Sequence, residues 1–207
     1  MSADAAPPAF EERGPGRDAG PRVAGFAEAG VPAALAAQVA DLEAQAWPGS
    51  TPGHDPALTP RTLLLVDDEG TVGAALSLLY KEIRLGARTY RAAGLSAVVT
   101  RTAVRGQGLG GRLVAAARAE LAADPAVDLA LFSCDRPLAP FYEAAGFAPL
   151  PGTVLVGGTP EEPLATDTPG FDKVVPAAFF TDTPAEDREA FTGVRVPLHP
   201  GSIDRLW

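Results

Sequence analysis

Residues 105–110, Arg-Gly-Gln-Gly-Leu-Gly, set three glycines at alternate positions between two different hydrophobic periodicities. Upstream, residues 95–100 (Leu-Ser-Ala-Val-Val-Thr) form an apolar, β-branched run that predicts a buried strand. Downstream, Leu109, Leu113, Ala116, Ala117 and Leu121 recur at helical spacing. A strand, a glycine-rich turn and a helix in that order leave backbone N–H groups unpaired at the positive end of the helix, a ready anion site. Gly106, Gly108 and Gly110 let a ligand approach the backbone without a Cβ in the way, and Arg105 adds a positive charge. An ordinary glycine-rich cap on a core helix is the competing reading. Two nucleotide-binding loops are excluded. A phosphate loop of the Walker type needs Lys-Ser or Lys-Thr after its last glycine, where this chain has Gly111-Arg112. A dinucleotide fingerprint needs Gly-x-Gly-x-x-Gly, and the spacing here differs.

The 207-residue chain suits one domain, expected over residues 23–207 behind a disordered arm of residues 1–22 rich in Ala, Pro and Gly. Its net charge of −9 argues against a nucleic-acid partner, and no apolar stretch is long enough for a membrane span. Cys134 is the only cysteine, so no internal disulfide forms. With His54 and His199 as the only histidines, no metal site is expected. Residues 1–20 lack the apolar core of a secretion signal, so a cytoplasmic location is expected.

Pro32 is placed to open a helix carrying Leu35, Val39, Leu42 and Ala46 on one face, stopped at Pro48-Gly49. Residues 49–60 read as a ligand-facing loop. Strands are expected at 62–66 and 72–79 around the turn Asp67-Asp68-Glu69-Gly70, with a second turn near Gly86. After the glycine-rich helix come a strand at 127–133 and a short helix from Pro137 to Gly146. Residues 154–156 and 174–175 are candidate short strands within a stretch, 149–190, that resists assignment. Residues 194–198 read as an edge strand.

This order resembles the GNAT superfamily of N-acetyltransferases. Residues 105–110 match its signature Arg/Gln-x-x-Gly-x-Gly/Ala, and Tyr142-Glu143-Ala144-Ala145-Gly146-Phe147 matches its second motif. The resemblance implies a mixed α/β fold: a central, mostly antiparallel twisted sheet flanked by helices, with a splayed parallel pair at the acetyl-CoA site. It also implies acetyl transfer to a primary amine in a ternary complex. Within the superfamily, residues 30–156 and the C-terminus are most similar to the aminoglycoside 2'-N-acetyltransferases. The segments that carry this are 104–107 (Val-Arg-Gly-Gln), 152–155 (Gly-Thr-Val-Leu) and the final Asp204-Arg205-Leu206-Trp207. The chain departs from that family at Ser96, where the family has a glutamate, and in a thinned acidic loop reduced to His54-Asp55.

The resemblance assigns acetyl-CoA to backbone groups of Val98, Val99 and Thr100 and to the loop Arg105, Gly106, Gln107, Gly108, Leu109 and Gly110. Tyr142 is the general-acid candidate, because a phenol is protonated at neutral pH and can donate to a leaving thiolate. The base is open. Ser96 cannot take a proton unaided but could hold a water; Glu82, Asp204 and the Trp207 carboxylate are further candidates. Asp55, Glu82, Asp204 and Trp207 are the expected acceptor contacts, while His54, alone in a proline-rich loop, is expected to be an exposed histidine rather than a substrate contact. Cys134 is expected to be an inert core thiol, and Arg136 a surface residue or a phosphate contact. The acceptor is expected to be a small cationic amine such as an aminoglycoside. Another amine metabolite, or an inactive acyl-CoA binder, are the alternatives, and a homodimer is left open.

Overall fold

The computed structural model describes residues 20–180 and 185–199. Most of the expected arm, and Asp204 and Trp207, lie outside the described residues. The chain enters in β1 (Arg22–Ala27), a strand not foreseen in the sequence, followed by a 3-10 turn at Glu28–Gly30. Helix α1 (Ala33–Ala46) starts directly behind Pro32. Strands β2 (Arg61–Val66), β3 (Val72–Leu85) and β4 (Arg88–Thr100) follow as an antiparallel meander. β3 and β4 run longer than expected, because the Gly86 turn, with its φ of +59°, closes a hairpin extended to its tip.

β2 is buried on both faces, which is why it reads as an unbroken apolar run. Leu63 and Leu65 enter the larger core, while Leu64 and Val66 enter a smaller one on the opposite face. Leu42 of α1, with Leu35, Val39 and Ala46, seals the smaller core. Helix α2 (Leu109–Ala123) covers the larger core with Leu113, Val114, Ala117 and Leu121. Val114 is buried where the periodicity favoured Ala116, which is only half-buried.

The remainder comprises β5 (Leu129–Leu131), β6 (Cys134–Asp135), α3 (Ala139–Ala144), β7 (Ala148–Pro149), β8 (Val154–Gly158), β9 (Pro163–Ala165), β10 (Lys173–Val174), β11 (Pro176–Phe179), α4 (Ala185–Ala190) and β12 (Arg195–Pro197). The main sheet has the order β1-β2-β3-β4-β5-β11-β7. β8 sits in a second sheet between β12, parallel to it, and β9; β6 and β10 form a short ribbon. The fold is the expected mixed α/β arrangement with one parallel pair, β4 and β5, in the main sheet.

That parallel pair positions everything that follows. Its ladder has two rungs, Ala92↔Leu129 and Ala93↔Ala130, while β4 stays paired with β3 as far as Thr100. Between the rungs Ser77↔Ser96 and Ala75↔Val99, β4 spends two residues, Ala97 and Val98, where β3 has only Leu76. This is a β-bulge. Ala97 takes a left-handed φ of +50°, a strained state for a residue with a Cβ. The bulge sits where β4 has left β5, at the mouth of the cleft between them.

Candidate active site

Two features flank that cleft. The first is the glycine-rich loop between β4 and α2. Gly106 and Gly108 adopt φ of +79° and +77°, and a Cβ at either would meet nothing within 4 Å, so the ground over the loop is open. Gly108 caps α2 with no side-chain hydrogen bond, and the first helical bond runs from Arg112 N–H to the Gly108 carbonyl at 3.0 Å. The amides of Leu109, Gly110 and Gly111 therefore lack intrahelical acceptors. A Cβ on Gly110 would stand 2.6 Å from Thr100 Oγ1, so the helix start is pressed against the end of β4. Arg105 Nε donates to the Thr100 carbonyl at 3.1 Å, which ties the exposed arginine to the same strand end. Gln107 is exposed, while Leu109 and Val98 lean on the larger core and Val99 is buried in the smaller one. The residues assigned to acetyl-CoA thus form one continuous strand-end and loop, with uncapped amides and open space that fit a phosphate group.

The second feature is a cavity of about 580 Å³ lined by Ser96 and Ala97 at the bulge, by Glu43 of α1 and Trp47 just beyond its end, and by His54. Its far wall comes from the stretch that resisted assignment, including Phe171, Asp172 and Lys173. Two of its lining residues, His54 and Ser96, are joined by hydrogen bonds to each other and, through His54, to Glu28. His54 Nε2 is 3.1 Å from Ser96 Oγ, and His54 Nδ1 is 2.6 Å from Glu28 Oε2. The backbone amide of His54 donates to the other oxygen of Glu28 at 3.0 Å, so one carboxylate grips both the residue and its ring. The imidazole is 6% exposed and the Glu28 side chain 24%. A carboxylate only accepts, so Nδ1 carries the proton and Nε2 is the acceptor for the Ser96 hydroxyl in the neutral ring. Local chemistry holds the loop in place. Asp55 Oδ1 accepts from Ala57 N–H at 2.8 Å to cap a 3-10 turn, and Leu58 buries into the larger core. Asp55 caps this turn with an exposed side chain and is absent from the cavity lining, whereas its neighbour His54 lines the cavity.

Glu82 lies apart from this cavity. It lies opposite Arg91, five positions along β3 from the partner of Ser96, and lines a separate cavity of about 500 Å³. Tyr142 is 6% exposed and packs edge-on against Phe132, Phe141 and Phe147. Burial, with Cys134 and Asp135 nearby, raises its phenol pKa well above the ordinary value, so it holds its proton at neutral pH. Cys134 is a buried thiol pushed up to about 11 by desolvation and by Asp135. Arg136 pairs with Asp172 at 2.6 Å. Among the described residues, no group of three His, Cys, Asp or Glu side chains converges on a metal position, and no helix is long and apolar enough to cross a membrane.

The family described as an acetyltransferase (GNAT) domain matches residues 33–150, more than half of the chain. The chain belongs to the GNAT acetyltransferase family. Curated proteins gave no sequence match. Among solved structures, the fold is similar to Escherichia coli ElaA at 15% identity and a TM-score of 0.55, over 76% of this chain and 98% of that one. It is also similar to an acyl-CoA N-acyltransferase from Pseudomonas aeruginosa, at 18% identity and 0.52, over 76% and 98%. A third similar structure is the GNAT N-acetyltransferase YhbS of E. coli in complex with CoA, at 18% and 0.52, over 90% and 94%. Within this GNAT chain, Glu28 is the residue that sequence reasoning missed. It follows a strand hidden by the small residues Ala24 and Gly25, and its partner is 26 positions away.

Proposed function

We propose that the protein transfers an acyl group, acetyl in the simplest case, from coenzyme A to the primary amine of a small acceptor held in the 580 Å³ cavity. The observation that carries this reading is the Glu28–His54–Ser96 line opening into that cavity beside the β4 bulge. The loop amides of 108–111 and the strand end at 98–100 would hold the pyrophosphate and the arm of acyl-CoA, which supplies the activated acyl group. Ser96 then carries a proton: as its hydroxyl gives one to His54 Nε2, it takes one from the amine. Glu28 holds the ring in the tautomer this needs and stabilises the imidazolium that forms. Ser96 does not need to be a base itself, which answers the loss of the family glutamate. Tyr142, kept protonated by burial, is the donor to the departing thiolate.

An aminoglycoside with a 2'-amino group is the acceptor suggested by the sequence resemblance, and Glu43, Asp135 and Asp172 around the cavity support a cation. Asp135 and Asp172 are each paired, with Lys173 at 2.8 Å and Arg136 at 2.6 Å, so much of that negative field is already offset. Trp47 and Phe171, 44% and 41% exposed, line the same cavity and favour a second reading, a small amine with an apolar body. A thiol-release assay with acetyl-CoA over aminoglycosides, polyamines and arylalkyl amines tests both. Amine-dependent release is expected. If acetyl-CoA binds but no amine stimulates release, the acyltransferase reading of the cavity is wrong.

A further inference from the structure

We propose that Ser96 is also a nucleophile, and that without an amine the protein hydrolyses acyl thioesters through an acyl-serine. The proposal rests on the acyl-CoA binding argued above and adds an activity to it. Its basis is geometric. A hydroxyl is a far weaker acid than an ammonium group, so it attacks a carbonyl only when a base stands within hydrogen-bond reach and is itself oriented by a third group. Ser96 Oγ has that base at 3.1 Å in His54 Nε2, and Glu28 orients the ring through Nδ1 at 2.6 Å and the His54 amide at 3.0 Å. The ring is 6% exposed, and both it and Ser96 line the 580 Å³ cavity, so a substrate held there can reach the hydroxyl and a water can follow it to Nε2. Ser96 directly precedes Ala97, whose left-handed φ of +50° breaks the β ladder at this point.

The chemistry balances without a further reagent. Ser96 Oγ bonds to the thioester carbonyl carbon while its proton passes to His54 Nε2. The carbon–sulfur bond breaks, the proton goes on to the thiolate, and an ester remains on Ser96. A water then gives one proton to Nε2 and attacks that ester. Ser96 leaves with the proton restored, and a carboxylic acid is released. The sum is thioester plus water giving acid plus thiol. With an amine in the cavity the same serine serves as a proton carrier instead.

The test uses the full-length protein with acetyl-CoA and no amine, quenched in acid and examined by intact-mass and peptide-mass measurement, with acetyl-CoA binding followed by calorimetry. One acetyl group on the peptide carrying Ser96 is expected, together with slow release of CoA thiol. Both should be lost in Ser96→Ala, with release falling about 100-fold or more, and both should be weakened in His54→Gln. A fluorophosphonate reagent, which labels activated serines without any need for CoA, should modify Ser96 in the wild type and not in His54→Gln. Binding of acetyl-CoA with neither adduct nor fluorophosphonate labelling overturns the nucleophile while leaving the acyltransferase reading intact. Labelling without acetyl-CoA binding upholds the activated serine and overturns the CoA reading and the hydrolysis built on it. Circular dichroism on both variants separates loss of the serine chemistry from loss of the fold.

Discussion

His54 Nε2 lies 3.1 Å from Ser96 Oγ, a contact between a proline-rich loop and a bulged central strand that are 42 residues apart in the chain. Glu28 completes the line from a third segment, and its grip on both the amide and the ring of His54 is what fixes the contact. Glu28→Gln replaces a pure acceptor with a group that can donate to Nδ1 and stabilise the wrong tautomer. Turnover of the responsive amine should fall about 100-fold or more, with acetyl-CoA affinity unchanged. Glu28→Asp should recover part of the loss. Steady-state kinetics check this: a change confined to KM would mean that Glu28 only shapes the cavity.

Gly110 is required by packing. A methyl group there would meet Thr100 Oγ1 at 2.6 Å and Phe141 at 3.5 Å. Gly110→Ala should destabilise the fold by about 1–3 kcal/mol by overpacking and weaken CoA binding by tilting the start of α2. Adding Thr100→Ala removes the closest obstacle and should recover much of the stability. Thermal melts of the single and double variants decide whether the clash, or glycine itself, is what matters.

Ala97 carries strain that glycine would not. Ala97→Gly should stabilise the fold by up to about 1 kcal/mol, the left-handed penalty for a residue with a Cβ; Ala97→Val should destabilise it by more. A urea melt in which Ala97→Gly is no more stable than the wild type would mean the bulge is not strained.

Cys134 offers a pH test. Burial raises its thiol from 9.0 to about 11. The folded state thus favours the protonated thiol. Its contribution is complete below pH 9, where the unfolded chain also keeps the proton, and is lost as pH rises from 9 through 11. Cys134→Ala should flatten the fall in stability across that window, and alkylation of the folded protein at pH 8 should be slow. Rapid alkylation at pH 8 without unfolding would contradict the assigned environment.

Local patterns were legible in the sequence, and long-range joins were not. The apolar face of α1, the β2–β3 turn and the glycine loop each follow from residues within a turn or two of one another. β1 was hidden because Ala24 and Gly25 interrupt its β signal, and β11 because Pro-Ala-Ala-Phe reads as loop. β11 nevertheless joins the sheet between β5 and β7, and its stability comes from packing rather than propensity. The glycine-rich loop was recognisable because its glycines fall at alternate positions within six residues. The Glu28–His54–Ser96 hydrogen bonds were not, because these residues come from three distant segments and a lone histidine in a polar loop carries no signal of its partners.

The most direct measurement is mass-spectrometric detection of the N-acetylated amine formed from acetyl-CoA by the wild type and by His54→Gln, with the CoA affinity of each measured alongside. An acetylated amine from the wild type, reduced about 100-fold or more in His54→Gln at unchanged CoA affinity, is the predicted result. Equal product from both proteins would contradict the proton path, and no product from any amine despite CoA binding would contradict the acyltransferase function itself.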